Sequence, residues 1–480
     1  MANLATPETA ALTPVLSRLK SGEIRHVDLK ALDLFGRWRH ITLPAHEVDE
    51  ETFRKGVPFD GSSFPGYRSI EESDMLMLPD PETAFVDPFS GAATLSLLTD
   101  IYEPNGTRYG RDPRGVAQRA AAYLRATGVA DTAYFGPELE FFIFDGVRFE
   151  LRANASSYAI DSAEAEWAAG EAGAMGQAFQ AKAAYFATAP QDQSGPVRNA
   201  MADALEAAGI VVERHHHEVG GPGQGEMNIR FADLVGAADN VLKVKYIVRN
   251  VAHQHGRTAT FMPKPVFGEN GSGMHVHQSL FLNGANRFYD ADGYAGLSAL
   301  ARAYIAGILS HGPALVALTN PTTNSYKRLV PGYEAPIYLA FSSANRSAAI
   351  RVPVGVRDAK GARIEFRTPD ASCNPYLAFA AVVMAGLDGI ERGLEPERLG
   401  FGPVEKDIYH LPAAEAAKLR QVPGSLAESL NALEEDHAFL LKGGVFSEDL
   451  IAVWIREKRE EARRLAMRPT PEEFALYFTA

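Results

Sequence analysis

Tyr134-Phe135-Gly136-Pro137-Glu138-Leu139-Glu140-Phe141-Phe142-Ile143-Phe144 sets two carboxylates two residues apart inside an apolar, β-favouring run. On a strand, residues i and i+2 project from the same face, so Glu138 and Glu140 point the same way. Like charges held that close repel, and withdrawing them from water is costly unless a cation neutralises the pair. The same alternation recurs farther along the chain. Glu226, Asn228 and Arg230 alternate with Met227 and Ile229; His275, His277 and Ser279 alternate with Val276 and Gln278; Arg363, Glu365 and Arg367 alternate with Ile364 and Phe366. Any one of these strands also fits an antiparallel sheet that is wet on one side. Four of them, carrying ligand-type residues with Arg beside Glu, point instead to a concave sheet that binds metal and anion together. Oxygen ligands with an occasional imidazole favour Mg²⁺ or Mn²⁺ over the thiolate-preferring metals.

Composition narrows the class. A chain of 480 residues has length for about three average domains, and large enzymes use fewer. The formal net charge of −13 disfavours nonspecific attraction to nucleic acid or an anionic membrane. Local arginine clusters should then serve small anions. The single cysteine, Cys373, excludes an intrachain disulfide framework and suits a reducing compartment. Met1 to Leu16 lacks a basic stretch followed by an apolar one, and the longest apolar run, near Leu377 to Leu387, is too short to span a bilayer. The expectation is a soluble cytoplasmic protein with neither nucleic-acid nor membrane partners.

Residues 8 to 20 read as a short helix, and Val27 to Leu34 with Trp38 to Leu43 as two strands across a Phe35-Gly36 turn. A small β-rich unit follows to about residue 105; Arg114 to Thr127 then has helical composition, stopped by Gly128. The expected domains are 1–108 and 109–480. The Ala/Gly-rich stretch Ala163 to Ala189 reads as a loop excursion, and its alanines equally support a short helix. Near the end, Ser447 fits an N-cap with Glu448 and Asp449 in the first turn, and Ile451, Trp454, Ile455 and Lys458 share one helical face.

Phe59-Asp60-Gly61-Ser62-Ser63, Glu72-Ser73-Asp74-Met75, Gly136 to Phe142, His215-His216-His217-Glu218-Val219, Lys264-Pro265, Asn270-Gly271-Ser272-Gly273-Met274-His275, Asn320 to Leu329 and Arg363 to Arg367 occur in one order along the chain. In that order and spacing, from about residue 12 to the C-terminus, the sequence resembles bacterial type I glutamine synthetase. The resemblance implies an α+β fold, with a small N-terminal β-grasp-like domain before a large catalytic domain whose antiparallel sheet forms an active-site funnel. It implies ATP-dependent ligation of ammonia to L-glutamate through a γ-glutamyl phosphate, with two Mg²⁺ or Mn²⁺ ions per site.

By the same resemblance one ion takes Glu140, Glu218 and Glu226, and the other takes Glu138, His275 and Glu365. Asn270, Gly271, Arg328, Glu334 and Arg367 match glutamate contacts. Glu213, His277, Ser279, Arg346, Arg351 and Lys360 match nucleotide and phosphate contacts, the segment before Lys360 being about one residue longer than the usual pattern. Asp60, Ser63, Tyr185, Glu218 and Glu334 match the ammonium site, with Asp60, Glu334 and Arg346 catalytic. Around Tyr185, alanines replace the usual glycines. In the family the N-terminal Asp reaches a neighbouring subunit's site, and two hexameric rings stack into a dodecamer. Asp407 to Pro412 resembles the loop whose tyrosine is adenylylated in one subgroup, which makes Tyr409 a modification candidate, while a Tyr before Leu-Pro also packs as an ordinary aromatic. A γ-glutamyl ligase using an organic amine would be expected to lose the ammonium-site acids, and Asp60 and Glu334 are present. A catalytically silent regulatory homologue would lose a metal carboxylate, and none is lost.

Overall fold

The computed structural model describes residues 9–480 except 172–173, 332, 334, 344, 354–357 and 407–418. The N-terminal helix spans Thr9–Lys20. A sheet then forms from β1 (His26–Leu32), β2 (Trp38–Pro44), β3 (Val57–Asp60), β4 (Asp74–Pro79), β5 (Phe85–Asp87) and β6 (Thr94–Tyr102). β1 runs antiparallel to β2, as the Phe35-Gly36 turn implies, and parallel to β6. Val27, Leu29, Leu95, Leu97 and Phe53 close a core of its own for this unit.

The next helix, Pro113–Ala126, starts where Asp112 accepts hydrogen bonds from the Arg114 and Gly115 amides, with Pro113 at the first turn and Gly128 beyond the end at φ 71°. Its Arg114 bridges Asp80 and Asp100 of the first unit to Asp239 of the helix Leu234–Gln254, at 2.7, 2.8 and 3.2 Å. The two units are thus clasped by charge-assisted bonds at a buried guanidinium.

The second sheet contains β7 (Thr132–Phe144), and after the hairpin β8 (Gly146–Leu151) and β9 (Ser156–Asp161) it continues with β10 (Val212–His217), β11 (Gln224–Ile229), β12 (Ala232–Asp233), β13 (Thr258–Thr260), β14 (Met274–Leu282), β15 (Ala285–Asn286), β16 (Tyr338–Ser342), β17 (Ala348–Arg351) and β18 (Ile364–Phe366). Its main order is β10-β11-β7-β14-β18-β17-β16. The four alternating segments of the sequence are therefore the four adjacent strands β11, β7, β14 and β18. All pair antiparallel, as expected of the funnel; farther along, β16 and β17 pair parallel, which brings Ser342 opposite Arg351.

One face of this sheet is apolar. Phe135, Leu139, Phe141, Met227, Met274, Val276, Ile364 and Phe366 turn into the main core against the helices Leu234–Gln254 and Pro375–Glu391, with Phe135 stacked on Phe379 at 4.7 Å. The alternate residues face away from that core. Burial of the apolar face fixes the register, because a one-residue slip would exchange the two faces. No helix among the described residues is long and apolar enough to cross a membrane; the run near Leu377 lies in the buried helix Pro375–Glu391. Ala163 to Ala189 forms, among its described residues, only the 3₁₀ turn Glu166–Gly170. At the C-terminal end the helix Glu448–Ala466 begins as expected, Ser447 accepting from the Leu450 amide, with Ile451, Trp454, Ile455 and Lys458 buried.

Candidate active site

Register brings the polar residues into rows across the strands. Glu226 lies directly opposite Glu140, and Asn228 and His275 flank Glu138. His277 and Arg351 flank Glu365. Two carboxylates opposite each other would destabilise a sheet on their own. They line a cleft of about 680 Å³ together with His216, Glu218, His275, Glu365, Asn270, Gly271 and the arginines 214, 328, 346, 351, 363 and 367.

Two groups of donors stand out. Glu138, His275 and Glu365 present ligand atoms within 4.8 Å of one another, and so do His216, Glu218 and Glu226. Carboxylate and imidazole donors without a thiolate suit hard divalent cations. Glu140 lies beside both groups: its Oε1 is 3.7 Å from His275 Nε2, and its Oε2 accepts the Gly273 amide at 2.8 Å. His216 is the residue that sequence reading passed over; its Nε2 is 3.5 Å from Glu226 and its Nδ1 3.8 Å from Glu218. It stood in the quoted His215-His216-His217 run, where three imidazoles in a row gave no sign of which one faces the cleft.

Arginines set the electrostatics. Arg351 and Arg367 each donate to one oxygen of the buried Glu365, at 2.7 and 2.8 Å. Burial would raise the Glu365 carboxyl, and the Arg367, His277, His275 and Arg351 charges overcome it, holding the group below its ordinary value. Burial likewise opposes ionisation of Glu138, and hydrogen bonds from His275 and His277 outweigh it, leaving that carboxyl well below the usual carboxylate range. Arg328 is buried, and burial lowers its pKa although Glu140 and Asp370 oppose this. Its guanidinium donates to the Thr368 and Arg367 carbonyls at 2.7 and 3.1 Å. The motif glycines make room for it. A Cβ on Gly273 would come within 2.4 Å of an Arg328 nitrogen, and one on Gly271 within 2.7 Å of Arg328 Cγ.

A second cleft, about 370 Å³, opens beside the first and shares Glu138, Arg214, His277 and Arg363 with it. It gathers Glu213, Ser279 and Lys360, residues far apart in sequence that were expected to act together on a nucleotide. Tyr185 lines the first cleft, half exposed, its ring stacked on Phe186 at 4.1 Å and edge-on to His216 at 5.7 Å. Lys182 and Lys264, unassigned from sequence, hold their ammonium groups 3.9 Å from the Tyr333 ring on either account, and burial lowers Lys264 to about 8. Asp60 and Ser63 do not line either cleft of their own chain; Asp60 is exposed and accepts from Ser62 and Ser63. Glu334 and Tyr409 lie outside the described residues.

A concave sheet with two clusters of hard-metal donors, rimmed by guanidinium groups, defines an enzyme acting on anionic substrates. The glutamine synthetase catalytic domain matches residues 110–477, and the glutamine synthetase β-Grasp domain matches residues 23–104. The chain is 51% identical over 472 residues to glutamine synthetase of Mycolicibacterium smegmatis and 52% identical over 465 residues to that of Aquifex aeolicus, covering 97% of this chain and 98% of each relative. It also resembles the cryo-EM structure of Plasmodium falciparum glutamine synthetase, with a TM-score of 0.89 at 30% identity over 99% of this chain and all of that one. The chain belongs to the glutamine synthetase family. It is a glutamate–ammonia ligase that makes glutamine from glutamate and ammonia, dependent on ATP and on metal.

Proposed function

We propose that the two donor groups hold two divalent ions, Mg²⁺ or Mn²⁺, one at Glu140, Glu218 and Glu226 with His216 alongside, the other at Glu138, His275 and Glu365. The observation that carries this is the convergence of both groups in one cleft, beside a second cleft bearing Glu213, His277, Ser279 and Lys360. Bound there, the ions supply the positive charge that lets a carboxylate approach a phosphate, since repulsion between anions otherwise blocks the reaction.

The chain's own residues then divide the work. Glu213, His277, Ser279 and Lys360 hold the nucleotide, and Arg346 and Arg351 offset its phosphate charge with rigid, multidentate donors. Asn270, Gly271, Arg328 and Arg367 orient glutamate so that its γ-carboxylate faces the terminal phosphorus. The carboxylate oxygen bonds to phosphorus as ADP leaves. Tyr185, Glu218 and Glu334, with Asp60 and Ser63 from a neighbouring subunit, capture ammonium and remove a proton. Ammonia then attacks the carbonyl carbon and expels phosphate.

On this reading the chain has two domains, 1–108 and 109–480. Its site is completed between subunits of a dodecamer of two hexameric rings, and Tyr409 accepts AMP from an adenylylating enzyme. The absence of Asp60 from its own chain's clefts supports the shared site. The lone, buried Cys373 suits a reducing cytoplasm. Titration with Mn²⁺ followed by electron paramagnetic resonance tests the ion assignment. Two bound ions per chain are expected, falling to one in Glu226→Gln and to one in Glu138→Gln; a single ion in the wild type would overturn it.

A further inference from the structure

Behind the cleft, Glu164, Asp192 and His217 bring ligand-type atoms within 4.8 Å of one another, with Glu164 and His217 buried. The arrangement has the spacing of a metal site, but its donor atoms are occupied. Glu164 Oε1 accepts the Gln193 and Ser194 amides at 2.5 and 2.7 Å. Asp192 accepts from Arg198 at 2.6 Å and from the Ser194 hydroxyl at 3.3 Å, so a guanidinium already provides the balancing positive charge. His217 Nδ1 lies 2.7 Å from the Glu218 carbonyl oxygen, which can only accept, so Nδ1 carries a proton and donates it. The other ring nitrogen faces Glu164 Oε2 at 3.3 Å.

We propose that Glu164 and His217 are positioning residues for Glu218 and Tyr185. The backbone explains how. Glu218 donates its amide to the Gln224 carbonyl at 2.8 Å, and His217 Nδ1 donates to the Glu218 carbonyl, so both backbone polar groups of Glu218 are tied while its side chain lines the cleft. The carbonyls of His217 and Val219 accept the amides of Phe186 and Ala184, at 3.1 and 3.3 Å. Those two residues bracket Tyr185. The segment that presents Tyr185 therefore hangs from the carbonyls of the two residues flanking Glu218, and Glu164 contacts the imidazole of one of them. The ring also packs on Phe179 at 5.1 Å between centroids. Outer partners of metal-ligating groups such as Glu218 set the orientation of the groups they touch, and their loss commonly costs about 10- to 100-fold in metal affinity or activity.

This proposal rests on the reading of Glu218 and Tyr185 as ammonium contacts. The test uses the assembled full-length enzyme and measures kcat with the KM values for ammonium and for ATP. His217→Phe keeps the ring and removes both hydrogen bonds. Glu164→Gln is the milder variant, keeping the acceptor for the two amides while removing the charge. With the divalent ion saturating, so that the ion site sharing Glu218 stays filled, the ammonium KM is expected to rise about tenfold in His217→Phe and severalfold in Glu164→Gln, with the ATP KM and the kcat at saturating ammonium within about twofold. An unchanged ammonium KM, or a parallel loss in all three parameters, overturns the positioning role. Glu218→Gln serves as the reference. If it leaves the ammonium KM unchanged, the ammonium-site reading falls and this proposal with it; if it alone raises that KM, only the positioning role falls.

Discussion

Glu226→Gln should make the ion-free protein more stable and the ion-loaded protein less stable than the wild type. Glu226 and Glu140 are direct cross-strand partners on the cleft face. Side chains so placed have Cβ atoms about 5 Å apart, and two unit charges at that separation repel by about 3 kcal/mol at an effective dielectric constant of 20. His216, 3.5 Å from Glu226, and His275, 3.7 Å from Glu140, offset part of this. Replacing one carboxylate with its neutral isostere should then stabilise the ion-free sheet by about 1–2 kcal/mol. With ions present the order reverses, because the wild type gains about 2.7 kcal/mol per site at a hundredfold excess over Kd, and the variant loses one site's share. Urea unfolding midpoints at one protein concentration, in chelator and in saturating Mn²⁺ near pH 7.5, read both signs. A variant that unfolds before the wild type in chelator, or that gains as much from Mn²⁺, would refute the electrostatic argument.

Mixing inactive Asp60→Ala subunits with inactive Glu140→Ala subunits should restore part of the activity after reassembly, because some interfaces then pair intact partners; no rescue in verified mixed oligomers would confine the site to one subunit. Protein from nitrogen-replete cells should carry the mass of one AMP on the peptide containing Tyr409, removable by phosphodiesterase and abolished in Tyr409→Phe; an unmodified peptide, with activity still tracking nitrogen status, would put control elsewhere. His311 lies between Asp388 at 2.9 Å and Asp436 at 2.7 Å, and although burial favours its neutral form, the two carboxylates raise its pKa above 6.5. A raised native value means that its stabilisation is complete below 6.5 and is lost as pH climbs through that native value, so stability should slope downward there and His311→Gln should flatten the slope. Equal slopes in the two proteins would remove His311 from the account.

The cleft face was legible because β11, β7, β14 and β18 each bury one face, which forces period-two alternation of residue types. What joins the strands was not. Nothing local in Glu226 or Glu140 announces that they are opposite each other, since register is set by the apolar face and the β7–β11 pairing. His216 was hidden among three adjacent histidines. The Glu164–His217 contact joins side chains 53 residues apart, and the Gln193 and Ser194 backbone amides that hold Glu164 carry no side-chain signal. The arginine grip on Glu365 was half visible: Arg367 is two residues away on the same face, whereas Arg351 arrives from β17 through pairing alone. Ala163 to Ala189 left helix and excursion open, and apart from one 3₁₀ turn its described residues form an excursion whose amides find partners far from the helical i−4 position: the Phe179 amide reaches the Glu164 carbonyl, and the Lys182 amide reaches Glu269.

On the proposed function, the glutamate γ-carboxylate, held by the arginine-rimmed sheet, attacks the terminal phosphorus of ATP before ammonia arrives. Glutamate labelled with ¹⁸O in its γ-carboxylate tests this most directly when the released phosphate is analysed by mass spectrometry. Because the oxygen that bonds to phosphorus leaves with it when ammonia displaces phosphate, each phosphate formed during single-pass synthesis should carry one ¹⁸O. Phosphate free of label, released alongside glutamine, would contradict it.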